Sequence, residues 1–262
     1  MLDHAESTRA GEPAPLTPIP GSDPEPVRDA DAYPYCCVGL VTMRFPDATA
    51  IGTATVISLD GTGGGRFLLT CAHNLYDEDD GGDATEVRFE QARNGSGRPS
   101  HPAVAVTDWR IPPGYRDVAL SRAARAAGVG RTLREESGSL DFALARLERP
   151  AAAPAYPSPT VIGAIKGIPV DLVGLYGWNE GDDDEMYRAD GPVDTVSDGG
   201  DIIGYPISTR VGASGTGVFA DDHRAIAGVH IHGGSNGDRY NYARRVTEPM
   251  LTQLARWAAE MT

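Results

Sequence analysis

Three side chains in this chain could together do nucleophilic chemistry. Ser214 sits in the stretch Gly212-Ala213-Ser214-Gly215-Thr216-Gly217, ahead of the apolar run Val218-Phe219-Ala220. A serine in a glycine-rich segment is ordinarily a turn residue, but glycines also open the backbone so that a substrate carbonyl can approach the hydroxyl. A hydroxyl attacks only when a base takes its proton. His73 is such a base, at the end of the apolar run Phe67-Leu68-Leu69-Thr70-Cys71-Ala72. Asp141 enters another strand-like segment, Phe142-Ala143-Leu144-Ala145-Arg146-Leu147. A carboxylate at the mouth of an apolar strand needs a partner to be buried, and an imidazole N–H is one.

The order His, Asp, Ser along the chain is that of the chymotrypsin type among the known triad orders. Further short segments strengthen the likeness. They are Gly52-Thr53-Ala54-Thr55-Val56-Ile57, Leu69 to His73, Asp141 to Leu144, Ser208 to Gly215, and Gly228-Val229-His230. Over roughly residues 35 to 260 the sequence resembles the chymotrypsin-fold serine peptidases, and within them the glutamyl endopeptidase branch of staphylococcal type.

That resemblance implies an all-β fold of two six-stranded antiparallel barrels with a C-terminal helix, and an active site in the cleft between the barrels. It implies a serine endopeptidase working through an acyl-enzyme, with His73 as base, Asp141 as its orienting carboxylate, Ser214 as nucleophile, and no cofactor or metal. The N–H groups of Gly212 and Ser214 would form the oxyanion hole. Thr209 and His230 would line the primary specificity pocket and donate hydrogen bonds to a Glu or Asp side chain before the cut. A preference for basic residues would need an acid where Ser208 stands. Ala213 replaces the aspartate that pairs with the new N-terminus in trypsin zymogens, so that switch is missing. Arg210, Arg244 and Arg245 are further candidates for holding an acidic side chain. Two other functions fit the same residues: an intracellular regulatory protease dedicated to one partner protein, and a silent binding module that keeps the fold.

The composition is compatible with these readings. At 262 residues, with 40% hydrophobic content, 32 glycines and 20 prolines, the chain suits one large β-rich unit of short strands and many turns. A net charge of −14 argues against nucleic acid or an anionic membrane as partner, leaving a protein or peptide substrate. The three cysteines, Cys36, Cys37 and Cys71, do not form a disulfide framework and are expected to be free thiols. No signal peptide or transmembrane segment is visible. The protein is expected to be cytoplasmic if Met1 is the native start, and secreted if the chain is a processed product.

The elements that must carry the site follow from period-two patterning. Residues 1–33, rich in Pro and acids, read as a flexible arm. A first barrel over 34–150 would use strands at Val38–Met43, Ala50–Leu59, Arg66–Thr70, Glu86–Phe89, Ala103–Val106 and Asp141–Leu147, with a hairpin loop at Asp60–Gly65. Residues 118–138 read as a surface excursion with helical spacing from Val118 to Gly128. The second barrel, within 151–262, would use Val170–Tyr176, Met186–Arg188, Asp201–Tyr205, Gly217–Ala220 and Ala225–His232. Met250, Leu251, Leu254, Trp257, Ala258 and Met261 form the stripe of a terminal helix. The acidic runs Tyr76–Asp83 and Glu180–Glu185 read as solvated turns. His230 and His232 alternate on a strand, but no third ligand at metal-site spacing accompanies them.

Overall fold

The computed structural model describes Ile19 and residues 22–59, 62–95, 97, 99–119, 131–174, 185–210, 212–234 and 239–261. Its strands are Glu25–Pro26 (β1), Val38–Arg44 (β2), Thr49–Leu59 (β3), Thr62–Thr70 (β4), Tyr76–Asp77 (β5), Gly82–Asp83 (β6), Glu86–Gln91 (β7), Val104–Arg110 (β8) and Ala143–Leu147 (β9) in the first half. The second half contributes Ser158–Pro159 (β10), Pro169–Val173 (β11), Tyr187–Pro192 (β12), Thr195–Val196 (β13), Ile202–Tyr205 (β14), Gly217–Ala220 (β15), Ala225–His232 (β16) and Asn241–Arg245 (β17). The helices are Tyr115–Val118 (α1), Arg131–Ser139 (α2) and Glu248–Glu260 (α3).

Strands β2, β3, β4, β9, β8 and β7 close into a six-stranded barrel. The second sheet has nine strands in the order β1-β12-β11-β15-β16-β17-β14-β13, with β10 paired to β16. It curls into a half-barrel, and its path does not close among the described residues. The expected two-barrel, all-β architecture is therefore present, with one half fully closed and the other open.

Alternation explains how one strand serves two cores, because successive side chains leave opposite faces. In β9, Ala143, Ala145 and Leu147 fill the first barrel, while Leu144, with Phe142 just ahead of the strand, faces a second cluster. Leu68 of β4 points inward as Phe67 and Leu69 point outward. The outward set meets Phe219, Val229 and Ile231 of the other half, together with Met250, Leu254, Trp257 and Ala258 of α3. The helix thus packs into the cluster shared by both halves, with Trp257 stacked near Phe142 at 5.6 Å between ring centroids. A third cluster, including Leu172, Ile203, Tyr205, Val218 and Ala227, fills the second half.

Three expectations change in detail. The strand β4 begins at Thr62, paired with Leu59, so residues 62–65 belong to the strand rather than to the expected loop Asp60–Gly65. The N-terminal segment is packed from Ile19 and Ser22 on rather than forming a solvated arm to residue 33. Here β1 adds an edge to β12, and Val27 and Ala30 are buried. The short strand satisfies backbone groups that a solvated arm would leave to water. The helical spacing read at 118–128 falls mostly outside the described residues, but α2 follows it. Ser137 near the end of α2 is buried, and Ser139 O accepts a 2.6 Å hydrogen bond from Arg244 Nε of the second half. No helix among the described residues is long and apolar enough to cross a membrane.

Candidate active site

His73 lies in a single 3₁₀ turn, Ala72–Asn74, where β4 leaves the barrel. Asp141, just before β9, clamps it twice. Oδ1 accepts from the His73 backbone N–H at 3.0 Å, and Oδ2 pairs with the ring Nδ1 at 2.7 Å. The carboxylate can only accept, so Nδ1 carries the proton and the neutral ring presents Nε2 as its lone pair. Burial pushes the His73 pKa down, but the Asp141 charge and hydrogen bond outweigh it and the pKa is raised. Burial in turn holds the Cys71 thiol protonated by raising its pKa. Its Sγ stands 3.5 Å from His73 Nε2, as a weak S–H donor facing the base.

Ser214 sits in the turn before β15, half-buried, between Gly212 at φ 100° and Gly215 at φ 92°. Both glycines occupy the left-handed region that side chains avoid. A Cβ on Gly215 would also collide with Thr53 O and the Thr70 hydroxyl. The turn is held on the first barrel by a polar network that crosses the two halves. Thr53 N–H donates to Ser214 O at 2.8 Å, and Asn74 Nδ2 donates to the same oxygen at 2.9 Å. Thr53 Oγ1 donates to Gly212 O at 2.8 Å, and Asn74 Nδ2 also reaches Thr70 Oγ1 at 2.9 Å. Asn74 follows His73 directly, so one segment carries the imidazole and anchors the serine turn.

These bonds leave particular groups open. Among the described residues, the N–H groups of Gly212 and Ser214 have no acceptor, and Ser214 Oγ makes no hydrogen bond to His73 Nε2. The structure therefore brings His73 and Asp141 into direct contact, and it brings the Ser214 backbone beside them with its hydroxyl unengaged. Ala213 is fully buried among the apolar residues of the second half.

The residues expected around the specificity pocket differ in how they are used. The Ser208 hydroxyl is consumed by the N-terminal segment, accepting from Ile19 N–H at 2.8 Å and donating to Ile19 O at 3.1 Å. Thr209 is buried, and among the described residues its Oγ1 has no hydrogen-bond partner. His230, in β16, backs the serine turn through two backbone bonds, Gly215 N–H to His230 O at 2.8 Å and His230 N–H to Thr216 O at 2.7 Å. Its ring is buried, with Nδ1 2.8 Å from the Tyr205 hydroxyl. Burial, reinforced by His232 and His73, drives its pKa down to about 3, so the ring is neutral. Arg244 and Arg245 are unavailable as pocket cations. Arg244 pairs with Asp201 at 2.9 Å and donates to backbone carbonyls, and Arg245 donates to the carbonyls of Ile162, Gly163 and Gly200.

For a metal, the described residues offer one grouping of three donors, Cys71, His73 and Asp141, whose ligand atoms lie within 4.8 Å of one another. Asp141 there already serves Nδ1 of His73. A bulge separates His230 from His232, and the His232 ring turns to Gly233 O at 2.9 Å. The three cysteines are free. The acidic run after His73 folds as the small β5–β6 hairpin, with Asp77 capping a 3₁₀ turn, while the run Glu180–Glu185 lies outside the described residues except for Glu185.

A closed six-stranded barrel beside a curled, mostly antiparallel sheet, with a terminal helix and a His–Asp pair where the two meet, is the fold of trypsin-like serine peptidases. Residues 52–227 match the family model for the trypsin-like peptidase domain, and the chain belongs to that family. Solved structures agree on the fold. A Glu endopeptidase in complex with MPD superposes with a TM-score of 0.70 at 18% identity, covering 92% of this chain and 99% of the other. The protease Anisep from Arthrobacter nicotinovorans gives 0.64 at 13% identity over 91% and 98% of the two chains. The thermostable serine protease AL20 from an extremophilic microorganism gives 0.63 at 16% identity over 87% and 98%. No curated protein matches the sequence.

Proposed function

We propose that this protein is a serine endopeptidase that cleaves peptide bonds after acidic residues. Ser214 Oγ attacks the scissile carbonyl and passes its proton to His73 Nε2, whose imidazolium is stabilised by Asp141. The carbonyl oxygen, now negative, takes up the unengaged N–H groups of Gly212 and Ser214. Losing one such donor typically costs about 3 kcal/mol of transition-state stabilisation. The imidazolium returns its proton to the leaving amine, and water then resolves the acyl-enzyme by the same steps reversed.

The acidic preference rests on the buried hydroxyl of Thr209, which has no partner among the described residues. A buried polar group left unpaired costs about 1–3 kcal/mol, and a substrate carboxylate would remove that cost. His230 supplies a second donor from a neutral ring. Likeness to a structure described as a Glu endopeptidase points the same way.

The test is cleavage of an unbiased peptide library, beside a Ser214→Ala control. We expect Ser214-dependent cuts after Glu, with Asp second. Absence of Ser214-dependent cleavage overturns the enzyme reading, and cuts after Lys or Arg overturn the pocket alone. His230→Ala is expected to lower kcat/KM for Glu peptides by at least tenfold more than it lowers labelling of Ser214 by a small uncharged phosphonate. Equal losses would make His230 structural.

A further inference from the structure

We propose that Cys71 and His73 together form a binding site for Zn²⁺, and that zinc held there switches the peptidase off by occupying Nε2 of its base. The binding site stands on the residues alone, while the inhibition rests on the serine-peptidase reading above.

The local backbone makes the site. On a straight strand, residues two apart share a face but stand about 6–7 Å from each other. Cys71 is still extended, at φ −87° and ψ 157°, and the 3₁₀ turn Ala72–Asn74 then folds the imidazole back over it. Sγ and Nε2 are brought to 3.5 Å as a result. Zinc would span that gap without a shift of either residue. Bonds of about 2.3 Å to sulfur and about 2.0–2.1 Å to nitrogen, set at the tetrahedral angle, put the two ligand atoms about 3.5–3.6 Å apart. The ion would take the place of the thiol hydrogen between the same two atoms.

The surroundings suit a metal as well as the ligands do. A metal-bound histidine almost always donates its other ring N–H to an acceptor such as a carboxylate, which fixes the tautomer and strengthens the ligand. Asp141 Oδ2 stands 2.7 Å from Nδ1, which leaves Nε2 as the lone pair. Of the three grouped donors, Asp141 thus acts behind the ring, and Cys71 and His73 are the ligands. A coordinating thiol is deprotonated outright, and here its proton leaves for solvent as the Zn–S bond forms. Zn²⁺, the Cys71 thiolate and the Asp141 carboxylate then sum to no net charge, as charges taken out of water require. Cys71 is fully buried, whereas the His73 side chain is 18% exposed. The ion would therefore reach Nε2 from the cleft and take the thiol behind it, with two positions left for water. Sulfur and imidazole ligands select zinc over Ca²⁺ or Mg²⁺, which prefer oxygen.

A metal on Nε2 removes the lone pair that takes the Ser214 proton. Zinc should therefore slow every reaction of Ser214, including those with uncharged reagents that make no use of the specificity pocket.

The experiment titrates ZnCl₂ into the unmodified protein, Cys71→Ala and Cys71→Ser. Binding is read by ¹⁵N NMR of His73 Nε2 and, with Co²⁺ as a coloured substitute, by thiolate-to-metal charge-transfer absorption. Inhibition is read as the rate of Ser214 labelling by an uncharged phosphonate, relative to the zinc-free rate of the same protein. In the unmodified protein we expect zinc to move the Nε2 resonance, Co²⁺ to give the absorption, and zinc to slow labelling at least tenfold. A chelator should restore the rate, and Ca²⁺ should not change it. Both variants should lose the absorption and need at least about tenfold more zinc for the same slowing, a loss that even outer-shell partners commonly cause. A His73 Nε2 resonance unmoved by zinc overturns the site without recourse to any variant. Absence of the Co²⁺ absorption overturns it too, as does equal zinc sensitivity in the variants. Zinc bound with both signatures but with labelling unslowed overturns the switch. Failure of the zinc-free, unmodified protein to label or to cut peptides overturns the peptidase reading instead, with the two binding signals still deciding the zinc site.

Discussion

His73 owes its ionisation to two opposed forces, and their balance sets how activity should depend on pH. Burial disfavours the imidazolium, while the Asp141 carboxylate at 2.7 Å favours it and prevails. The proposed base works only when neutral, so a raised pKa makes activity rise with pH through an acid limb centred above the ordinary histidine value of about 6.5. We expect kcat/KM to show that limb. In Asp141→Asn the His73 titration, followed by NMR, should move down below the unmodified value, because burial then acts without its counterweight. The same substitution should lower kcat by about 10⁴-fold, since an amide partner favours the wrong tautomer. A His73 titration unmoved by Asp141→Asn would sink this account. These two residues were legible in the sequence because His73 follows one apolar strand and Asp141 opens another. Tyr205 was not: its meaning lies in a partner two strands away, and Gly204-Tyr205-Pro206 reads as an ordinary strand end. Thr209 was legible only through resemblance, and only its three-dimensional surroundings reveal a hydroxyl with no partner among the described residues.

Between residue and fold stands the serine turn, which is not self-supporting. It is bound to the first barrel by Thr53 and Asn74, which Thr70 braces in turn, and the polar side chains of all three occupy buried positions on or just beyond apolar strands. Asn74 donates one hydrogen bond within its own half and one to Ser214 O. Asn74→Ala should therefore remove about 1–3 kcal/mol of stability, since buried acceptors lose their donor, measured as a shift in the denaturant midpoint. It should also lower kcat for peptide cleavage more than it raises KM, because the turn that sets the serine and the two free N–H groups loosens. Loss of stability with kcat intact would restrict Asn74 to a structural role. The threonines were visible as members of Gly52-Thr53-Ala54-Thr55 and Leu69-Thr70, but their role was not. An inward polar residue in a strand signals a partner without naming it, and here the partners are 140 or more positions away for Thr53–Gly212 and Asn74–Ser214. Most barrel strands and the terminal helix, by contrast, were placed correctly because their apolar periods are local, whereas β17 was not read as a strand and β4, β8 and β12 each run four residues past the predicted bounds at one end. Where α3 docks was not local information: its stripe meets Phe142 of the first barrel as well as the second half.

At the scale of the whole molecule, charge governs how substrate is met. A net charge of −14 sets a repulsive field for the acidic substrates proposed here, while recognition within the pocket is assigned to neutral donors. Neutral donors suit such a molecule. They hold a carboxylate by hydrogen bonds at contact and do nothing to draw it in from a distance, so encounter and recognition become separable. Encounter is governed by the long-range field, which reaches about 30 Å at 0.01 M salt and about 8 Å at 0.15 M. Raising salt over that interval should increase kcat/KM for acidic peptides a few-fold, mainly through KM, because screening relieves repulsion of the approaching substrate. The rate of Ser214 labelling by an uncharged phosphonate should stay flat over the same range, since no charge is steered. If kcat/KM for acidic peptides instead falls with salt, a positive potential must dominate at the cleft. Recognition would then rest on a cation such as Arg210 rather than on Thr209 and the neutral ring of His230.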